Sequence, residues 1–343
     1  MKLWTDLVSP MELTTVARVT VEERERDRVS LSQFLPNKLV DDIDIRMTTT
    51  ENGLVETAEY RAYDAETPIG SRRGGKRVTL ELPPLGQKIP VSEYDRLRSR
   101  SMNVPDAGKD LVGKSAVTVA RATADRMEKL RGEILVTGKA VIDENQFVSE
   151  NDFGRDPSLT STVGVTWDQV DTADPIEDLR KLTEAYVDIN GESPGYLVVS
   201  QKIIASLIRN LNIRKMHSGQ NTPAIVTIDF LRATLESFDL PSLVKYDRKV
   251  RTNGVNVRVV DEKVALFLPL VEGEESPLGS TFWGTTLEAS DDPRYEIAED
   301  DRPGIVVGAY KEEDPQSTWV RANAIGMPVL GDANYSAALT VFA

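Results

Sequence analysis

Hydrophobic positions recur along the chain in patterns that change several times from helical to strand-like. The longest helical pattern runs from residue 113 to Gly138, a residue type that often ends helices. It predicts a long helix that packs on one face. Gly132 inside it should cost about 1 kcal/mol against Ala, and we interpret it as a mild flaw. The apolar stripe of this helix comprises Ala116, Ala120, Met127, Leu130 and Ile134.

Strand patterns flank a glycine-rich basic loop in residues 46–86. The second predicted strand, KRVTLELP, places Val78, Leu80 and Leu82 in alternation with polar residues, which is the period of a half-buried strand. The first predicted strand is LVETAEYRAY, and DAETPIGSRRGG lies between the two. We expect a long hairpin with a basic tip.

The loop GSRRGGKR has the spacing of a nucleotide-phosphate loop. Gly70, Gly75 and Lys76 fit that pattern, but Arg77 stands where a Ser or Thr should bind magnesium. A strand follows the loop instead of a helix, so backbone N–H groups cannot converge on a phosphate as they do at a helix N-terminus. We interpret the segment as a hairpin tip and keep a soluble nucleotide-binding enzyme as an alternative.

Residues 174–270 alternate between short helical and strand patterns. Asp174 followed by Pro175 predicts the start of a helix, and GYLVVS predicts a buried strand. The pair Asn253-Gly254 predicts a tight turn between two further strands. A compact α/β domain is expected here, and the polar residues 146–172 before it are predicted to be a loop.

The two ends of the chain differ from this middle part. Residues 1–45 are predicted to form a charged arm with few apolar positions, in which Phe34 and Leu35 are exposed. Such an arm needs the body of the protein or a neighbouring chain to pack against. Residues 271–343 return to strand patterns and contain acidic clusters.

The composition excludes several kinds of chemistry. The chain has no Cys, which rules out disulfides and thiolate metal sites. Its one histidine, His217, is predicted to lie in a polar loop, so neither a two-His zinc site nor a Ser-His-Asp triad is expected. The acidic clusters lack the alternating oxygen ligands and central Gly of a calcium loop. We expect no catalytic residue, no metal and no cofactor.

Charge and hydropathy narrow the setting further. A net charge of −14 disfavours external binding to nucleic acid, because such binding depends on neutralising phosphates. No apolar run approaches the ~18 residues of a membrane span, and the N-terminus lacks the apolar core of a secretory signal. A soluble intracellular chain without membrane contact is expected.

A projecting hairpin exposes unpaired strand edges that a neighbouring copy would cover, which favours assembly over catalysis.

The order of these elements resembles that of tailed-phage major capsid proteins, specifically the lambda-like major capsid protein E family with the Hong Kong phage-type capsid fold. The resemblance covers nearly the whole chain. It is carried by SQFLPNKLVDDIDIRM, ETPIGSRRGGKRVTLELPPLGQKIPVSEYDRLR, RMEKLRGEILVTGKAVIDEN, DPIEDLRKLTEAYVDINGESPGYLVVSQKIIASLI and GMPVLGDANYSAALTVFA.

The resemblance implies an α+β fold in five parts. These are an N-terminal arm (1–45), an extended β-hairpin loop (46–86), a peripheral domain with a long spine helix (87–173), an α/β axial domain (174–270) and a return to the peripheral domain (271–343).

The resemblance also implies a function. It implies the major capsid protein of a tailed double-stranded DNA phage, which assembles in the host cytoplasm into hexamers and pentamers of an icosahedral shell around the genome. The implied partners are further copies of itself, a separate scaffolding protein, a portal, a decoration protein and the packaged DNA. A cellular nanocompartment shell with the same fold remains an alternative.

The basic loop and the acidic clusters form a candidate contact between subunits. We expect the loop to dock on acidic surface of a neighbouring subunit. Exposed ion pairs are each worth about 0–1 kcal/mol, so they would mainly set register and association rate. The basic residues are Arg72, Arg73, Lys76 and Arg77, and the acidic residues are Glu299, Asp300, Asp301, Glu312, Glu313 and Asp314.

Overall fold

The computed structural model describes most of the chain, and within it two compact units can be distinguished. The first unit draws on Met1–Ile45, Thr79–Arg131 and Ser280–Val329, and the second on Arg46–Val78, Gly132–Gly279 and Leu330–Ala343. Each unit is therefore built from three separate stretches of sequence. The described residues are 2–5, 8–26, 30–50, 75–91, 94, 107–218, 225–271, 273, 275–313 and 317–343.

Helices and strands are numbered in chain order. The helices are α1 (Pro10–Arg26), α2 (Ala107–Thr137), α3 (Pro175–Asn190), α4 (Gln201–Arg209), α5 (Leu211–Ser218), α6 (Ile228–Ser237) and α7 (Leu287–Ser290). The strands are β1 (Lys2–Leu3), β2 (Asn37–Leu39), β3 (Asp44–Thr50), β4 (Gly75–Glu81), β5 (Pro84–Val91), β6 (Lys139–Glu144), β7 (Phe147–Asp152), β8 (Thr160–Thr162), β9 (Tyr196–Val199), β10 (Ser242–Lys245), β11 (Lys249–Thr252), β12 (Val255–Arg258), β13 (Val264–Leu268), β14 (Gly279–Gly284), β15 (Val306–Glu312), β16 (Ser317–Leu330) and β17 (Ala337–Thr340). Short 3₁₀ helices lie at Leu31–Gln33, Pro157–Leu159, Pro293–Tyr295, Glu299–Asp301 and Ala333–Tyr335.

A six-stranded sheet forms the centre of the first unit. Its strands follow the order β1-β15-β16-β14-β2, and β5 pairs with the long strand β16. Helices α1 and α2 contribute to the core of this unit, in which Ala116 and Ala120 are fully buried together with Val307 and Ala322. Because the alanines on α2 are small, the helix can approach its neighbours closely.

The N-terminal arm packs on the body of the first unit. Leu13 and Ala17 on α1 belong to its core, and the Val307 N–H donates to the Thr14 hydroxyl at 3.1 Å. Phe34 and Leu35 are 1% and 0% exposed, so the expectation that they face solvent is wrong. The 3₁₀ turn before them is closed by a Phe34 N–H bond to the Leu31 carbonyl at 3.0 Å, and both apolar side chains become buried.

Helix α2 confirms the predicted helix and begins six residues earlier than predicted, at Ala107 instead of 113. The expectation that it packs on one face only is wrong for its second half, because none of residues 122–136 is exposed. The whole predicted stripe, including Met127 and Ile134, is buried. Gly138 has a φ of +72°, and its N–H donates to the Ile134 carbonyl at 2.7 Å, so it ends the helix as expected.

Strands β3 and β4 form a separate two-stranded sheet. Leu80 and Leu82 are buried while Thr79 and Glu81 are exposed, which confirms the predicted alternation for these positions. The other predicted strand, LVETAEYRAY, lies outside the described residues.

The second unit contains a five-stranded sheet in the order β10-β9-β13-β17-β8. Strand β13 lies at its centre with all five residues buried, antiparallel to both of its neighbours. The sequence predicted several of the local signals here. Asp174 caps α3 by accepting from the Glu177 N–H at 3.4 Å, and Asn253 and Gly254 have φ values of 51° and 80° in the turn between β11 and β12.

Two loop predictions in this unit are wrong. Phe147–Asp152, predicted as loop, forms β7, which pairs with β6 across a turn at Asn145 and Gln146. Its side chains are mostly exposed, so the sequence carries no apolar alternation that would identify a strand. His217 lies in α5 instead of a loop, and its ring centroid is 4.1 Å from that of Phe230, although it is exposed as expected.

Candidate assembly surfaces

The first acidic cluster is an exposed 3₁₀ turn at Glu299–Asp301. Arg18 holds this turn through its backbone, because its guanidinium donates to the carbonyl oxygens of Asp301 at 2.7 Å and Ile305 at 3.1 Å. Burial lowers the pKa of Arg18, and the negative charge of Asp301 raises it in part. A carboxylate oxygen of Glu299 lies 3.5 Å from a guanidinium nitrogen of Arg302, which follows the turn directly. The backbone is thus fixed while the three carboxylates remain at the surface.

The second acidic cluster consists of Glu312, Glu313 and Asp314 and begins at the last residue of β15. The Glu312 carboxylate accepts from the Trp319 indole N–H at 3.0 Å and from the Ser317 hydroxyl at 3.4 Å, so it holds β15 against β16. Glu313 is exposed, and Asp314 lies outside the described residues. Among the predicted acidic residues that the structure describes, Glu299, Asp300, Asp301 and Glu313 are therefore the ones at the surface.

The basic residues of the predicted contact are only partly placed. Lys76 and Arg77 lie in strand β4, but their side chains are not among the described ones. Arg72 and Arg73 lie outside the described residues. Docking of the loop on the acidic clusters therefore stays a prediction.

A buried ionic cluster ties the arm to α2 and to the sheet of the first unit. Arg131, fully buried, donates to the Glu25 carboxylate at 2.7 Å and to that of Glu128 at 3.2 Å. Its other nitrogen atoms donate to Asn37 Oδ1 at 2.6 Å and to the Thr281 hydroxyl at 2.9 Å. One side chain on the helix therefore contacts both the arm and strand β14.

Glu128 extends this cluster along the arm. Its carboxylate accepts from the Ser30 hydroxyl and from the Leu31 N–H, each at 2.9 Å. Next to this cluster, Arg24 on α1 binds Asp125 on α2 through both carboxylate oxygens at 2.8 Å. The arm is thus attached to α2 by one buried and one partly exposed set of charges.

Two further kinds of site are absent from the described part of the chain. Within that part, no group of three or more His, Asp or Glu side chains is arranged to hold a metal ion. No described helix is both long enough and apolar enough to cross a membrane.

A family profile for phage major capsid protein E matches residues 20–341 of the chain. The chain belongs to this family. It is a structural component of the phage virion and not an enzyme, and its copies form the icosahedral shell of the head. No curated protein is similar enough in sequence to count as a match.

Solved structures show the same mixed α+β fold as this capsid protein. A phage-related protein from Bordetella bronchiseptica RB50 is 17% identical with a TM-score of 0.59, over 98% of this chain and 97% of that one. A prophage protein of Escherichia coli CFT073, described as a capsid protein, is 13% identical with a TM-score of 0.61, over 96% and 98%. The virus-like particle protein from Pyrococcus furiosus is 11% identical with a TM-score of 0.51, over 96% and 97%. At these identities the likeness shows a common fold.

A second arginine, Arg155, is half-buried and stabilises the other unit of the capsid protein. Arg155 donates to the carbonyl oxygens of Leu135 at 2.5 Å and Val136 at 2.9 Å, and to the Ser336 hydroxyl at 2.6 Å. Burial lowers the pKa of Arg155 to about 10. The cation lies at the C-terminal end of α2, where the helix dipole favours positive charge.

Sequence reasoning missed both Arg131 and Arg155. Arg131 follows Met127 by four residues and precedes Ile134 by three, so it lies on the apolar stripe of α2. A charged residue on such a stripe signals a buried ion pair, and that signal was available. Arg155 lies in irregular sequence, where nothing in the local pattern indicates that it caps a helix ending at Thr137.

Proposed function

We propose that this capsid protein forms hexamers and pentamers that tile the shell around packaged double-stranded DNA. The family match over residues 20–341 carries the proposal. Residues 46–86 would be the extended loop that reaches over an adjacent subunit, 87–173 with 271–343 the peripheral domain, and 174–270 the axial domain around the capsomer centre.

Repetition makes such an assembly stable. A weak contact between unlike surfaces closes into rings, and each subunit of a closed shell is held by several neighbours at once. The net charge of −14 supports a genome container, because an inner wall of the same sign as DNA keeps the packaged duplex from adhering. A scaffolding protein, a portal and a decoration protein are proposed as further partners.

Electron microscopy of the purified full-length chain tests this assembly. We expect shells, tubes or six-fold rings when the chain is expressed alone or with its neighbouring genes. DNA inside the particles would support the phage head, whereas an enclosed enzyme would support a nanocompartment. A small oligomer of one size under both conditions would contradict the proposal. It would favour the nucleotide-binding alternative, which a binding assay with a Lys76 variant would then test.

Reversing two charges in the basic loop should impair assembly without unfolding the subunit. We expect the Arg72→Glu, Arg73→Glu variant to lose most of its shells, because each contact with Glu299–Asp301 on a neighbour would change from attraction to repulsion. The measurement is the yield of shells by sedimentation, together with the thermal midpoint of the unassembled chain.

The matched control reverses another adjacent basic pair, Arg180→Glu with Lys181→Glu on α3, whose side chains are 50% and 65% exposed. Within the subunit these two residues pair with Glu177 and Glu184, which contributes only a few tenths of a kcal/mol. The docking proposal fails if the loop variant assembles as well as the control.

A further inference from the structure

The hairpin Lys139–Asp152, made of β6 and β7, presents an acidic face with exposed valines. Cross-strand pairing places Val141 opposite Glu150 and Val148 opposite Asp143 on one face. Val141 is 52% exposed and Val148 73% exposed, whereas Ala140 and Ile142 on the other face are buried. This acidic hairpin carries four carboxylates against one lysine. Its outer face is therefore both apolar and negative.

The hairpin Lys249–Arg258, made of β11 and β12, has the opposite charge. It contains three cationic side chains and no carboxylate, in a chain with 55 acidic residues. Val250, Val257 and Val255 share one face with Thr252. Val250 is buried, but Val255 toward the turn is 63% exposed and Val257 38%. This basic hairpin thus also leaves β-branched apolar side chains in solvent.

Contacts within the subunit compensate only part of this charge. Each hairpin forms its own two-stranded sheet, and no ion pair between described residues joins them. Lys139 pairs with Asp152 inside the acidic hairpin, and Arg258 pairs with Asp247 and Glu262 at the base of the basic one. The pKa of Glu262 is lowered mainly by its hydrogen bond with Lys202, and the charge of Lys249 makes a smaller contribution. Neither Lys249 nor Arg251 forms an ion pair with another described residue.

We propose that the acidic hairpin of one subunit binds the basic hairpin of the next subunit in a ring. Val141 and Val148 would pack on Val255 and Val257. Lys249 and Arg251 lie on the face of the basic hairpin opposite these valines. Because the hairpin is only two strands wide, their long side chains would extend past its edge toward Asp143 and Glu150 on the partner. The inference rests on the proposed capsomers and identifies one of the surfaces that would hold them together.

Charge and shape favour a second copy over nucleic acid as the occupant. The two hairpins carry opposite net charge, and each exposes valines that a phosphate backbone would not cover. Two unlike surfaces on one chain produce a head-to-tail contact, and repetition of that contact gives a ring when its rotation closes. Isolated two-stranded sheets with exposed valines are otherwise prone to nonspecific association, which a specific partner prevents.

Disulfide trapping tests the pairing directly, since the chain has no cysteine of its own. A disulfide forms only when the two Cα atoms come within about 7 Å. We expect the Val148→Cys, Val257→Cys variant to give a ladder of covalent oligomers from assembled particles on a non-reducing gel. A mixture of chains carrying one substitution each should give dimers only. The control Val148→Cys, Phe238→Cys, which also joins two exposed apolar positions, should give no ladder.

The outcomes separate this pairing from the assembly on which it rests. Normal shells without a ladder overturn the hairpin contact and leave the capsid function intact. Dimers from Val148→Cys alone would show a two-fold contact and overturn the head-to-tail arrangement. If no shells form, the proposed assembly fails, and a missing ladder in whatever oligomer forms overturns the pairing as well.

A charge exchange gives an independent readout. Lys249→Glu with Arg251→Glu, or Asp143→Lys with Glu150→Lys, should each lower the yield of shells about tenfold. The combination of both exchanges should restore most of the yield. If the basic-hairpin variant instead assembles normally and only loses co-purifying nucleic acid, the hairpin binds DNA and the proposal is wrong.

Discussion

Replacing Arg131 by Met should destabilise the capsid protein by about 3–5 kcal/mol, the usual cost of removing one partner from a buried ion pair. The methionine roughly fills the space of the arginine stem but leaves the carboxylates of Glu25 and Glu128 without their shared cation. Glu128 is 1% exposed and cannot recover the lost interaction from water. Asn37 and Thr281 also lose the arginine as a hydrogen-bond donor.

Arg24→Met is the matched control for this substitution. Arg24 joins the same two helices through Asp125, but the side chains of that pair are 18% and 24% exposed, so solvent can replace much of the interaction. Thermal unfolding of the unassembled full-length chain should therefore show a much smaller shift for Arg24→Met than for Arg131→Met. Adding Glu128→Gln to Arg131→Met should recover part of the loss, since it removes one uncompensated charge.

Equal shifts for the two arginine variants would show that burial of Arg131 does not determine its contribution. Proteolysis offers a second measurement. The arm residues Glu25, Ser30 and Asn37 all depend on this cluster, so the arm should become the first cleaved segment in Arg131→Met. Cleavage elsewhere first would contradict the attachment of the arm through Arg131.

Local signals in the sequence predicted much of the fold. Asp174 and Gly138 act through hydrogen bonds within a few residues of themselves, so their type and position are enough to indicate where helices begin and end. The alternation of Leu80 and Leu82 is equally local. The resemblance to capsid proteins then supplied the family, which no single motif specifies.

Features that depend on distant parts of the chain were not predictable in this way. Phe34 and Leu35 were expected at the surface because nothing near them in sequence could cover them, yet the fold buries both. The acidic and basic hairpins carry an assembly signal only when their pairing register is known, because that register decides which side chains share a face. Of the predicted basic contact residues, Arg72 and Arg73 lie outside the described structure, so that surface remains defined by sequence.

Gly132 is another position whose role depends on a distant part of the chain. Gly132→Ala should destabilise the protein although Ala is the better helix former. A Cβ at this position would lie 2.4 Å from the Val259 carbonyl oxygen and 2.6 Å from Val259 Cγ1. The backbone would have to shift, at a typical cost of about 1–3 kcal/mol, which exceeds the gain in helix propensity of about 1 kcal/mol. Position 132 therefore requires a glycine because Val259 lies so close to it. The interpretation of Gly132 as a mild flaw is wrong.

Gly113→Ala on the same helix is the control that separates propensity from packing. A Cβ there meets no atom within 4 Å, so only the favourable change in helix propensity remains. We expect the thermal midpoint of the unassembled chain to rise for Gly113→Ala and to fall for Gly132→Ala. A rise for both would mean that Val259 yields to the added methyl group at little cost. Because Val259 directly follows the basic hairpin, a fall confined to Gly132→Ala would also show that the end of α2 holds the base of that hairpin in place.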